Sequence, residues 1–271
     1  MKLNLRQIEN KMKEHRKKIL KIINHVGKGH VGGAFSCLDI LGVLYYGGIL
    51  NVSPELHEDP NRNRFILSKG HACIAQYVIL QDLGFFDEEE LFKMNKGGIL
   101  GEHPDNNTPG VEFISGSLGH GLAIAVGFAL NAKLDNLSYK TFVVLGDGEC
   151  CEGSIWEAAG IASHLKLSNL VAVVDRNRLC IHGDTEGIQA LDPLDKRFES
   201  FGWNVIVIDG HNYDEILKAL QTNKSSRPTM IIANTIKGKG VSFMENKSSW
   251  HHGAVDDSQL KTALEELSKN A

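Results

Sequence analysis

The stretch "VVLGDGECCEG" (residues 143–153) ends an apolar run with a single carboxylate, Asp147, set between Gly146 and Gly148. Thirty residues later, a second β-branched run, "NLVAVVD" (169–175), ends and is followed by Asn177. A carboxylate and an amide oxygen at neighbouring strand ends, joined by a nearby backbone carbonyl, supply half of the oxygen shell that magnesium requires. Diphosphate oxygens and water would complete it. Gly146 and Gly148 let the backbone approach phosphate, and the helix expected over 152–166 would turn its N-terminus toward it. Gly-Asp-Gly alone is simply a good turn. The strand before it, the helix after it and the second strand end make it a candidate site. Cys150 and Cys151 sit at the start of that helix, where a thiol pKa can fall. No base or metal partner accompanies them, so packing is their expected role.

The elements that must position these groups are clearest in the second half. Strands are expected over 141–145, 169–175, 203–209 and 228–235, with helices over 152–166, 192–202 and 212–222 between them. Asp192 is the expected N-cap of the 192–202 helix, with Pro193 at its first position. Strand–helix–strand units of this length build a parallel sheet covered on both faces, whose ligands sit beyond the carboxyl ends of the strands. In the first half, 36–50 and 70–84 read as helices around a strand at 64–68, and 116–134 as a Gly-rich turn feeding an apolar helix. Ile8, Met12, Ile19, Ile23 and Val26 recur at near-helical spacing near the N-terminus, which predicts an amphipathic helix with a solvated basic face. The whole chain, 1–271, is expected to form one α/β domain with the helix of 1–26 packed on it.

Composition excludes several classes. A net charge of -4 argues against a nucleic-acid binder. No apolar run is long enough to span a membrane, and the N-terminus lacks the apolar core of a signal peptide. Five cysteines without a CxxC pair or zinc spacing suggest free thiols in a reducing cytosol, so a cytoplasmic protein is expected. The glycines of "GSLGHG" do not fit the dinucleotide fingerprint.

Taken together, the motifs resemble the thiamine diphosphate enzymes, and within them the N-terminal half of the transketolase family. "GKGHVGGAFSCLDILGVLYY" (27–46), "RFILSKGHA" (64–72), "GEHPDNNTPGVEFISGSLGHG" (101–121) and "EGSIWEA" (152–158) are similar to family segments and stand in the family's order. The resemblance implies a three-layer fold, a mainly parallel sheet flanked by helices. It also implies thiamine diphosphate and Mg2+ (or Ca2+ or Mn2+ in its place) as cofactors. Asp147, Asn177 and the carbonyl of Leu179 match the metal ligands. Gly116, Ser117, Leu118, Gly146, Gly148, Glu149 and Asn177 match cofactor-binding positions. His71 and His252 match histidines beside the diphosphate. His30 and His103 match histidines facing the substrate's hydroxyl and carbonyl oxygens, and with His252 they are the candidate catalytic groups. Glu152 and Glu157 match a glutamate pair at a subunit interface.

Some positions depart from the family pattern: Cys150–Cys151, His120 and His182. The larger departure is length. A full transketolase continues into a domain that holds the aminopyrimidine ring and supplies the activating glutamate, whereas this sequence ends in a polar helix after His252. The resemblance therefore implies the diphosphate-binding subunit of a split transketolase. Its partner would be a C-terminal subunit carrying that glutamate, within an α2β2 heterotetramer in which this chain also homodimerises. The reaction implied is transfer of a two-carbon ketol unit from a ketose phosphate to an aldose phosphate, chemistry of the pentose phosphate pathway. The alternatives are deoxyxylulose phosphate synthesis, a transketolase for an unusual sugar, or a non-catalytic scaffold.

Overall fold

The computed structural model describes residues 2–222 and 226–269. Helices α1 (Leu5–Val26) and α2 (Val31–Tyr46) lead into strand β1 (Arg64–Leu67), helix α3 (Cys73–Asp82) and the short α4 (Glu88–Phe92). A long irregular stretch precedes α5 (Gly121–Leu134). Then follow β2 (Thr141–Gly146), α6 (Gly153–His164), β3 (Leu170–Arg176), a small ribbon of β4 (Leu179–Cys180) and β5 (Gly183–Asp184), and helices α7 (Thr185–Ile188) and α8 (Leu194–Ser200). The chain closes with β6 (Asn204–Asp209), α9 (Tyr213–Leu220), β7 (Thr229–Asn234) and α10 (Asp257–Lys269).

Five strands form one parallel sheet in the order β1-β2-β3-β7-β6. Successive strand residues point to opposite faces, and both faces are apolar. Phe65, Phe142, Val144, Val171, Val173 and Ile231 join a core with α1, α2, α3 and α9. Their neighbours Ile66, Val143, Leu145, Ala172, Val174 and Ile232 join a separate core with α5, α6 and α8. This is the expected three-layer arrangement. Among the described residues, no helix is long and apolar enough to cross a membrane.

Sequence patterning misplaced several ends. The helix expected at 36–50 begins at Val31 and stops at Tyr46, and the segment at 70–72 is a 3-10 turn that passes into α3. Asp192 does not cap α8, whose N-cap is Pro193. The Asp192 carboxylate instead faces the guanidinium groups of Arg176 (3.2 Å) and Arg178 (2.8 Å), a charge pairing that the local helix signal did not disclose. The basic N-terminal helix is more deeply built in than an amphipathic face suggests: Ile8, Met12, Ile19, Leu20, Ile22 and Ile23 are all fully buried.

Candidate active site

Strands β2 and β3 are neighbours in register, with Gly146 opposite Asp175, so Asp147 and Asn177 leave the sheet side by side. Hydrogen bonds tie the two strand ends together. Asp147 accepts the backbone N–H of Arg178 at 2.5 Å through Oδ2 and that of Gly148 at 2.8 Å through Oδ1. Oδ1 of Asn177 accepts the N–H of Leu179 at 3.1 Å. The three residues expected to hold a cation therefore sit on two hydrogen-bonded strand-end turns that line one cavity, and each offers a hard oxygen of the kind magnesium selects. Burial and the charge of Asp175 raise the Asp147 carboxyl above its ordinary pKa, and Arg176 opposes them. A cation at this point would offset the same cost.

Around the turn lies a cavity of about 320 Å³, lined by His30, His71, His103, Gly116, Leu118, Gly146, Gly148, Glu149, Lys237 and His251 among others. Two lysines that the motifs did not single out bring positive charge to it. Lys69, just beyond β1, is buried and pairs with Asp175, while its ammonium also donates to the carbonyl of Gly33 at 3.0 Å. Burial would lower its pKa, but Asp175 outweighs burial and holds the ammonium charged. Lys237, in the loop after β7, donates to the carbonyl of Leu179 at 2.9 Å and to Nδ1 of His251 at 3.1 Å. Burial, with the charge of Lys69, lowers Lys237 to about 8. "SKGHA" and "TIKGKG" gave no periodic signal that either lysine turns inward.

Imidazoles form the opposite wall. A two-way backbone bridge between Gly29 and Gly253 sets the segment before His30 beside the segment after His252. The ring centroids of His30 lie 4.5 Å from His252, 5.3 Å from His71 and 6.1 Å from His103. His251 stacks on His71 at 5.1 Å. Burial lowers His30 to about 4, His251 to about 3 and His71 well below its ordinary value, with neighbouring cations adding to the effect. These rings are neutral at pH 7 and keep lone pairs available.

The expected site residues divide into four groups. Asp147, Asn177, Leu179, His30, His71, His103, Gly116, Leu118, Gly146, Gly148 and Glu149 line the one cavity. His252 does not: it lines an adjoining outer cavity of about 510 Å³ with Glu102, and His251 takes the inner position. Ser117 lines a separate groove with Phe113 and Ile124. Glu152, the N-cap of α6, and Glu157 within that helix are exposed, away from the cavity. The N-terminus of α6 does not reach the cavity either. Gly148 and Glu149 of the preceding 3-10 turn form that wall.

Glu149 acts as an internal strut. Its carboxylate accepts from Ser68, from the N–H of Gly119 at 2.8 Å and from the N–H of Gly146 at 3.0 Å, joining three segments at the sheet end. Gly116 has φ +136°, and a Cβ there would lie 3.0 Å from the His103 ring, so this close turn sets the histidine's position. Cys150 is fully buried against Gly146 and serves packing, as expected. The cavity thus offers oxygen ligands for a divalent cation, two ammonium groups for diphosphate, and neutral imidazoles. Its donors fit a metal–diphosphate group.

Comparison with known proteins points the same way. The family described as "Transketolase, thiamine diphosphate binding domain" matches residues 9–270. An apulose-4-phosphate transketolase subunit from Phocaeicola vulgatus is 41% identical over 98% of this chain and 96% of its own length. A 6-deoxy-6-sulfo-D-fructose transketolase subunit from a Clostridium species is 42% identical over 94% of both chains. The crystal structure of transketolase from Campylobacter jejuni superimposes with a TM-score of 0.88 at 33% identity, covering 99% of this chain and 43% of that one. The chain thus spans nearly all of the subunit relatives and about two-fifths of full-length transketolases. It belongs to the transketolase family of transferases, as a chain of the thiamine diphosphate-binding N-terminal type.

Proposed function

We propose that this chain is the diphosphate- and metal-holding subunit of a split transketolase, acting with a separate C-terminal subunit. The observation that carries the reading is the convergence of Asp147, Asn177 and the Leu179 carbonyl with Lys69 and Lys237 around one cavity at the strand ends. Asp147, Asn177 and Leu179 would hold Mg2+. Lys237 and His71 would donate to the diphosphate, and Gly116 and Gly148 would let it approach the backbone. Thiamine diphosphate, when bound, supplies the nucleophilic carbon that takes a two-carbon ketol unit from a ketose and gives it to an aldose. His30 and His103, neighbours in the cavity wall, would orient the sugar and move protons at its hydroxyl and carbonyl oxygens. The partner would contribute the pyrimidine-binding domain and the activating glutamate, and Glu152 and Glu157 would lie at a contact between copies of this chain.

The subunit relatives are named for apulose-4-phosphate and 6-deoxy-6-sulfo-D-fructose, which favours a donor sugar other than the common pentose phosphates. A deoxyxylulose phosphate synthase would instead consume pyruvate, so a donor screen that includes pyruvate separates the two readings.

The test is calorimetry on the assembled complex. Asp147→Ala should abolish magnesium-dependent thiamine diphosphate binding, and undiminished binding would overturn the metal assignment. Purification with Mg2+ and thiamine diphosphate should also bring down an equimolar partner carrying a pyrimidine-binding domain. A chain that emerges alone and binds no cofactor would remove the catalytic reading and support the scaffold alternative.

A further inference from the structure

Outside the oxygen-lined turn, His30, Glu102 and His252 bring two imidazole nitrogens and a carboxylate oxygen within 4.8 Å of one another. No other such group of three occurs among the described residues. Nε2 of His252 lies 2.9 Å from Oε1 of Glu102, and Nδ1 of His30 lies 3.6 Å from the same oxygen. That His30 nitrogen is buried and has no hydrogen-bond partner. The Gly29–Gly253 bridge holds the two histidines together, and Glu102 approaches from the loop before His103. All three line the outer cavity of about 510 Å³, so the open side of the cluster faces space that water or a sugar hydroxyl can fill.

Two imidazole nitrogens and one carboxylate suit zinc and its first-row neighbours, whereas magnesium prefers an all-oxygen shell such as that at Asp147. We propose that His30, Glu102 and His252 form a second metal site, for a transition-metal ion such as Zn2+, at the mouth of the cofactor cavity and separate from the magnesium site. An ion there binds His30 through a lone pair it needs for proton transfer and stands, with His252, at the mouth of the cavity. On the functional reading above, occupancy therefore inhibits the enzyme.

The experiment titrates Co2+, as a visible stand-in for Zn2+, into the tag-free chain in excess Mg2+ and follows the ligand-field absorption. The expected result is one Co2+ per chain, displaced by Zn2+. Glu102→Gln and His252→Asn should each weaken binding by about tenfold or more, the scale on which even indirect ligand contacts act. Asp147→Ala should leave the band unchanged. The Glu102 side chain is 37% exposed and that of His252 35%, so these substitutions spare the core, and circular dichroism checks that. Absence of the band, equal affinity in the Glu102→Gln and His252→Asn chains, or loss of the band in Asp147→Ala would each overturn the proposal. Thiamine diphosphate binding is a separate readout, so failure of the second site and failure of the functional reading are distinguishable.

Discussion

At the scale of single residues, Lys237 is the group whose role geometry reveals most directly. Its ammonium rests on the Leu179 carbonyl, the oxygen that would serve a cation, and it lies in the same cavity as Asp147. A metal at Asp147 and Asn177 would compete for that carbonyl and leave the ammonium to a diphosphate oxygen. Charge-assisted hydrogen bonds of this kind contribute about 1.5–3 kcal/mol. Lys237→Met should therefore weaken thiamine diphosphate binding by roughly ten- to a hundredfold at pH 7, measured by calorimetry on the assembled complex at fixed Mg2+. The variant keeps the aliphatic stem, so unchanged affinity would place Lys237 outside the cofactor's reach. Sequence could not single this lysine out, because Lys237 and Lys239 share one glycine-rich loop and only packing turns the first inward. His251 and His252 pose the same problem. Two adjacent histidines project in different directions, and the choice between inner and outer cavity rests on backbone geometry at the Gly253 bridge.

At the scale of elements, the sheet was legible because its strands are short β-branched runs buried on both faces, separated by helices of ordinary length. Element ends were less so, since Asp192 and the residues around His30 follow tertiary charge and hydrogen-bond partners rather than local caps. Helix α1 shows the same override in its interior. His15 interrupts the apolar face, yet it is buried, with Nε2 3.0 Å from the Tyr46 hydroxyl, which in turn donates to Asp82 at 2.8 Å. Burial lowers His15 to about 4, partly offset by the charge of Asp82. The folded state thus keeps His15 neutral where the unfolded chain protonates it, between about pH 6.5 and 4. The unfolded state binds more protons in that window, so stability falls as pH falls through it. Relative to His15→Gln, the native chain should lose up to about 3 kcal/mol of unfolding free energy between pH 7 and pH 4. Urea titrations across that range check the slope, and parallel curves for the two proteins would show that His15 carries no such linkage.

At the scale of the whole molecule, α5 is apolar all round, a pattern that belongs to a helix covered on every side. Leu122, Ala125, Val126 and Ala129 do face the core. Ala123 and Gly127 are exposed, however, and Ile124, Phe128 and Leu130 only partly covered. Phe113 and Ile114, exposed at 37% and 55%, share a groove with Ile124. Exposed apolar surface of this kind marks a protein contact, and the groove at Ile124 is the one that contains Ser117. Assembly, on the two-subunit reading, is what covers it. Gly127 offers a clean test, because a Cβ there would meet nothing within 4 Å. Gly127→Glu places a charge on the exposed side of α5 while replacing a poor helix former with a good one, worth about 0.5–1 kcal/mol in favour of the isolated fold. The variant should be as stable as the native chain or slightly more so, and should fail to assemble in size-exclusion chromatography with light scattering. Assembly that survives the substitution would move the contact to another face, with the exposed Glu152 and Glu157 at the start of α6 the next surface to probe.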